Sequence, residues 1–311
     1  MLVHQLMIAA AVTLESFGKV LFNVFLGGVG LAGFILVGFG LSAAVFLAWA
    51  RFRLPRSGRR SLLVLNLSTA VSFGCFFFAL QHAAPAVVAS LEVGTSIVAA
   101  VILVWTHQRS SLSPLRILAC LGIVGGTLLL CAVEIGKLPA EAGPTMLILA
   151  CVAGAVSGAT STFSAQSSKD LSQAGWSPTQ VLAHRFHLTL LFAGAWLGLG
   201  NADVALPSAS ALPAIALVAA VAVIAPLLLF QLALRRCDTL SVMVCCAVQP
   251  LLSFLVAIPS PSFIWNQMTL VGVMAVTAFL MLDVAAQRGM AGSRRSEPAY
   301  ARAELSAASG A

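Results

Sequence analysis

Ten long apolar runs leave this chain few ways to fold. They lie at roughly 4–25, 31–50, 61–82, 86–106, 116–134, 145–168, 179–200, 212–234, 240–259 and 266–287. A helix needs about 20 such residues, at 1.5 Å per residue, to cross the hydrocarbon of a bilayer. The breaks carry turn chemistry: Gly27-Gly28, Pro55, Pro85, Pro114, Pro139 with Pro144, Pro178, Pro207, then Pro259 with Pro261. Pro213 and Pro226 fall in or beside the eighth run and predict a kink there. The runs are continuous and not alternating, which selects helices over a barrel. Composition agrees. Of 311 residues 60% are apolar and 9% charged, and the mean hydropathy is +1.01. That leaves too little polar surface to coat a water-soluble globule, and disordered, collagenous and disulfide-scaffold classes fail on the same numbers.

The formal charge of +7 is explained by topology. With the N-terminus in the cytoplasm, the cytoplasmic segments hold Arg51, Arg53, Arg56, Arg59, Arg60, Arg109, Arg116, Lys169, Arg235, Arg236, Arg288, Arg294, Arg295 and Arg302. Lys137 alone lies outside, and Lys19 and Arg185 lie within spans. This is the positive-inside pattern of a multi-pass protein of the cytoplasmic membrane with both termini inside, and no nucleic-acid partner is needed to account for the charge. Cys75, Cys120, Cys131, Cys151, Cys245 and Cys246 sit in apolar runs as small hydrophobes, and Cys237 lies beside Arg235 and Arg236. Without a CxxC spacing, neither a zinc knuckle nor a redox motif is expected. The first run, with no basic residue before it and Glu15 and Lys19 inside it, does not read as a signal peptide.

Ten spans divide into two fives, and five is odd, so two similar halves must be inverted relative to each other. Ala79-Leu80 recurs as Ala233-Leu234 at an offset of 154, which sets Ser96 opposite Pro250. The closing spans repeat as ACLGIVGGTLLL and TLVGVMAVTAFL, aligning Gly122 with Gly272. The expected fold is therefore all-α and integral to the membrane: ten helices in two inverted five-helix repeats, 1–138 and 139–288. A basic tail, 289–311, is expected to be disordered and to rest on anionic lipid. Inverted repeats are a recurrent plan of secondary transporters, with the site at the midplane between the halves.

Residues 1–290 resemble the EamA-type branch of the drug/metabolite transporter superfamily. The resemblance is carried by FALQHAAPAVVASLEVGTSIVAAVILVW in the first half, and by SPTQVLAHRFHLTLL and LALRRCDTLSVMVCCAVQPLLSFLVAI in the second. ASLEVGTS is similar to the corresponding helix of amino-acid exporters of the threonine/homoserine type. The resemblance implies ten helices, two repeats and transport of a small metabolite. Where the family has a Gly-Glu pair past the fourth and ninth spans, this chain reads WTHQRSS and IPSPSFIW. The Arg usual in the second span occurs only as Arg185 in the seventh, with Gly38 at the comparable place, and the usual Pro of the fourth is Ser96.

Charged side chains at mid-span cost roughly 2.5–3.5 kcal/mol each on insertion scales, so each needs a partner or a wet cavity. Glu15 and Lys19 are i,i+4 and share a face. They form either a self-neutralising pair that fixes helix rotation, or a proton- or amine-binding carboxylate modulated by its lysine. TLESFGKVLF also looks like the first helix of small multidrug resistance proteins, whose membrane carboxylate binds protons and cations in turn. Glu92 has no basic residue within a turn and lies beside Gly94, Thr95 and Ser96, which points to binding or proton coupling. Arg185 is either a fork for a carboxylate or a side chain snorkelling to the cytoplasmic face. His184 and His187 either relay protons or bond to neighbouring carbonyls. The sixth span is rich in hydroxyls (Ser157, Thr160, Ser161, Thr162, Ser164, Ser167, Ser168, with Gln166), and the third carries Asn66, Ser68, Thr69 and Ser72. Some of these are expected to back-bond to their own helix and others to line a hydrated path. Gln231 and Gln249 add amides in the second half, with Pro250 expected to free a carbonyl, and Gly154xxxGly158 and Gly194xxxGly198 permit close helix packing.

No HExxH, Walker loop, clustered Asp pair or GxSG occurs; residues 154–158 read GAVSG, one residue too long. The expectation is thus not an enzyme, with no cofactor and no metal. It is a secondary transporter of a small polar or amphipathic metabolite, an amino acid or a related compound, exporting it in exchange for protons. Drug or cation efflux, uptake on the same scaffold, and a non-transporting sensor or scaffold are the alternatives.

Overall fold

A computed structural model describes residues 2–51, 55, 57–108, 113–138, 143–199, 207–234, 242, 245–260 and 263–296. Arg53, Arg56, Arg109, Arg235, Arg236, Arg302, Cys237, Pro139, Pro261 and residues 297–311 lie outside the described residues, as do the side chains of Arg294 and Arg295, whereas 289–296, expected to open a disordered tail, continue the last helix. The described residues are helical, with no strand among them. In chain order they form α1 (Leu2–Val29), α2 (Leu31–Trp49), α3 (Arg59–His82), α4 (Pro85–Gln108), α5 (Pro114–Ile135) and α6 (Thr145–Gln173). Then follow α7 (Pro178–Ala183), α8 (His187–Gly198), α9 (Leu212–Ala219), a π turn (Ala220–Ile224), α10 (Ala225–Leu234), α11 (Gln249–Ala257) and α12 (Gln267–Ser296).

Among the described residues eight helices are long and apolar enough to cross a membrane, and they coincide with eight of the ten expected spans. This is a multi-pass membrane protein. The seventh span departs from expectation: it is two short helices, α7 and α8, separated at residues 184–186. The ninth is represented by α11, much of the run before it lying outside the described residues. The first turn also shifts. Gly27 and Gly28 continue α1, and the chain reverses at Gly30, whose φ of 76° suits a residue without a side chain. The π turn ends two residues before Pro226. A proline ring presses on the carbonyl four residues back, and the wider turn absorbs that conflict. Pro250 lies in the first turn of α11, where its missing N–H would have no partner in any case. It frees no mid-helix carbonyl.

The packing traces a closed ring of helices: α1 on α11, α11 on α4, α4 on α6, α6 on α3, α3 on α8, α8 on α2, α2 on α9, and the π turn and α10 back on α1. Helices α5 and α12 pack on each other beside the ring, touching it through α4, α6 and α11. Bare backbone makes these contacts close. A side chain added at Gly122 would meet Phe279, one at Gly126 Val276, and one at Gly272 Leu130. On α6, Gly154 faces Leu91, and Gly158 lies directly on the backbone of Glu92 and on Thr95. Gly194 and Gly198, by contrast, have nothing near them within the described chain. Gly158→Ala is therefore expected to destabilise the protein by about 1–3 kcal/mol, because the obstacle is backbone that cannot rotate away. Thermal unfolding in detergent measures this, and an unchanged Tm would show that α4 has room to retreat.

Thr160 and Ser161 bond carbonyls of their own helix, as expected, while other hydroxyls of α3 and α6 join the two helices. Ser164 bonds both Ser68 (3.0 Å) and Thr69 (2.9 Å), and the Ser72 hydroxyl donates to the Ser157 carbonyl at 3.1 Å. Thr95 and Thr162 tie α4 to α6 through the carbonyls of Ala155 and Ser96. In a membrane, where apolar contact between helices gains little over contact with lipid, such bonds and small residues do the holding. Trp49, Trp105, Trp196 and Trp265 are each more than half exposed near helix ends, where indole rings favour the headgroup level.

Candidate functional site

Three of the expected residues converge inside the ring. Lys19 on α1 is fully buried, 0% exposed, and donates from Nζ to Glu92 Oε2 on α4 at 2.6 Å. Glu15, one turn back on α1, is a second and longer partner at 3.4 Å. The ammonium also lies over the Phe76 ring, 5.4 Å from its centroid. Glu92 is thus not a lone carboxylate: the base missing from its own helix comes from α1. Close backbone contact between Gly158 and Glu92 sets the height at which that carboxylate stands.

Arg185 projects from the break between α7 and α8. Its Nε donates to the Thr69 hydroxyl at 3.1 Å, and the guanidinium lies 5.9 Å from the centre of the Phe73 ring. Among the described residues no carboxylate is within ion-pair distance of it. Directed at the middle of α3, it does not snorkel.

Asn66 holds the break open. Its Nδ2 donates to the His184 carbonyl at 2.7 Å and its Oδ1 accepts from the Leu188 N–H at 3.3 Å, so backbone groups released by the break find a side chain. Asn66 therefore shapes the site from behind. His184 and His187 face each other, Nδ1 to Nε2, at 3.1 Å. Gln231 is buried on α10. Gln249 is 3% exposed on α11, and its Nε2 has no hydrogen-bond partner, nor has the Ser253 hydroxyl one turn on.

The side chain of Glu15 is 37% exposed and shares the buried Lys19 ammonium with Glu92 of α4. Phe22, Phe34, Phe39, Phe77 and Phe186 pack edge to face, with Phe73 stacked on Phe77 and tilted against Phe39 and Phe186.

Sequence reasoning missed a second buried pair. Arg116 Nε bonds Asp283 Oδ1 at 3.0 Å across α5 and α12, Asp283 is 0% exposed, and Gln287 holds its other oxygen at 2.7 Å. A carboxylate inside the last apolar run was the available signal. Asn23 was also missed; its Nδ2 donates to the Leu80 carbonyl at 2.6 Å, tying α1 to the end of α3.

No protein-family model matches the chain, and no curated protein matches it. Twenty-five chains of solved structures do match. One of them, a crystal structure described simply as that of a protein, superposes with a TM-score of 0.64 at 19% identity, over 95% of this chain and 99% of that one. The likeness is one of fold.

Proposed function

We propose that this protein is a secondary transporter that carries a small zwitterionic metabolite, an amino acid or a close relative, across the cytoplasmic membrane in exchange for protons. One observation carries the reading. Two charged groups in the bundle are incompletely matched among the described residues: the Glu15 carboxylate, partly accessible and 3.4 Å from Lys19, and the Arg185 guanidinium, whose polar partner is the Thr69 hydroxyl. Buried charges are costly in a membrane, and a solute with an ammonium and a carboxylate completes both. Arg185 presents a bidentate fork to the carboxylate, and Glu15 receives the amine. Lys19 and Glu92, bound to each other, form the wall against which Glu15 is set.

Alternating access by ten spans in two inverted repeats belongs to the same proposal, and the packing supports it. Exchanging the halves, α1–α5 for α6–α12, turns α3 on α6 into α10 on α1. It likewise turns α4 on α6 into α11 on α1, and α4 on α5 into α11 on α12, all of which occur. Gly122 lies on Phe279 and its aligned Gly272 on Leu130, one residue beyond the position that aligns with Phe279, so these contacts approach the reciprocity of a two-fold axis. A helix broken at mid-membrane with a charged group at the break is a frequent feature of such carriers.

Counterflow in proteoliposomes, with and without a pH gradient, over a panel of amino acids and cationic drugs tests the function. The wild type is expected to move amino acids and to respond to the gradient. Glu15→Gln is expected to lose the gradient response and about 10- to 100-fold in rate, the value of one charge-assisted hydrogen bond. Full, gradient-driven flux in Glu15→Gln would remove the coupling, and absence of flux for the whole panel would remove the carrier.

A further inference from the structure

The segment joining α2 to α3 contains five arginines in ten residues, RFRLPRSGRR at 51–60, and none takes part in the site described above. The last two, Arg59 and Arg60, open α3 and are exposed. Below them a groove of about 290 Å³ runs between α3 and α8, lined by Arg59, Leu62, Leu63 and Asn66 on one side and His187 and Leu188 on the other. Arg59, Leu62 or Leu63, and Asn66 follow one face of α3, so the groove extends about 10 Å along the helix. It opens on the flank of the bundle, where Leu63 is 64% exposed.

An occupant has to match three properties of this groove. Its wall is apolar, its mouth is cationic, and it is too small to enclose a ligand of the size that fills pockets of roughly 300–1,000 Å³. A molecule seated here continues outside, along the flank that faces lipid. A phospholipid with a net negative headgroup meets all three conditions: phosphate at the arginines, one acyl chain against Leu62, Leu63 and Leu188, the rest in the bilayer. Clusters of four to eight basic residues next to a membrane span attract anionic lipid at about 1 kcal/mol each. Here the attraction acts at the mouth of a shaped groove rather than on a flat surface.

We infer that the α3–α8 groove, with Arg59 at its mouth and the exposed Arg60 next to it in the chain, is a binding site for an anionic phospholipid. The floor of the groove gives it a consequence. Asn66 and His187 belong to the bonding that holds the α7–α8 break, so a seated lipid braces the element from which Arg185 projects. The inference does not depend on the transport reading and is tested without flux.

The full-length protein is delipidated in detergent, then incubated with phosphatidylglycerol or phosphatidylcholine of matched chains. Native mass spectrometry reads bound lipid, and thermal unfolding reads stability. Wild type is expected to retain phosphatidylglycerol at least fivefold over phosphatidylcholine and to gain about 2–4 °C in Tm at a lipid excess of about tenfold over Kd. Arg59→Gln/Arg60→Gln is expected to lose both the preference and the shift. Arg288→Gln, an exposed charge on α12 away from the groove, is expected to keep them. Arg59→Lys/Arg60→Lys keeps the charge should the glutamine pair fail to fold, and is expected to retain the preference. Equal retention of the two lipids, or an equal loss in Arg288→Gln, would overturn the site in favour of diffuse attraction. Retention of a free fatty acid in place of phosphatidylglycerol would also overturn it.

Discussion

Replacing Lys19 by Met is expected to destabilise the protein by about 3–5 kcal/mol. The side chain is 0% exposed and neutralises Glu92 at 2.6 Å and Glu15 at 3.4 Å. Without it two carboxylates are left close together, one of them, Glu92, only 17% exposed. Removing one member of a buried pair leaves the other charge desolvated and uncompensated, which accounts for the size of the loss. The double variant Lys19→Met/Glu92→Met is expected to recover most of it, since apolar residues of similar volume often replace buried pairs at little cost. Glu15 is accessible enough to hydrate by itself. Chemical unfolding of the four proteins in a double-mutant cycle isolates the coupling. A Lys19→Met protein within 1 kcal/mol of wild type would mean that Lys19 does not neutralise the cluster.

Arg185→Gln is expected to show the opposite pattern, a loss of function with little loss of stability. In the structure its polar partner is one neutral hydroxyl, Thr69, so folding loses about one ordinary hydrogen bond, roughly 1 kcal/mol, and is relieved of a buried charge. Transport is a different matter. Truncating one side of a desolvated charge pair costs about 2–5 kcal/mol, so kcat/KM for a carboxylate-bearing solute is expected to fall about 100-fold or more. Arg185→Lys keeps the charge but not the planar fork and is expected to recover only part of the rate. Flux assays beside Tm measurements on the same preparations separate the two residues. Equal kcat/KM in wild type and Arg185→Gln would dismiss Arg185 as the carboxylate group.

Arg116 and Arg185 are matched differently. Arg116 is satisfied by Asp283 at 3.0 Å in the seam between α5 and α12, a part that the proposed rocking of two halves leaves together. Arg185 has no such partner among the described residues. The two similar side chains thus differ in whether the charge is already matched by a carboxylate among the described residues.

How much was legible beforehand follows from which properties are local. Run length, the prolines between runs and the i,i+4 relation of Glu15 and Lys19 depend on neighbours along the chain, and eight long helices stand where the runs are. The packing of Gly154 and Gly158 on α4 was legible as a spacing, but the same spacing at Gly194 and Gly198 meets nothing within the described chain. The break at residues 184–186 carries no proline or glycine. It is maintained by Asn66, more than a hundred positions earlier, so no window around it contained the cause.

Sequence alone thus determined that the chain lives in lipid, where its long helices begin and end to within a few residues, and which polar side chains had to be explained, because hydrophobic transfer and backbone hydrogen bonding act residue by residue. Tertiary structure alone decided the pairings. It gave Lys19 to Glu92 across 73 positions, turned the hydroxyls of α6 into a seam with α3, and left Arg185 and part of Glu15 without an ionic match to each other. Those outcomes depend on which helix faces meet, and in a bilayer that is settled by steric fit and the satisfaction of a few polar groups, neither of which is written in any single segment.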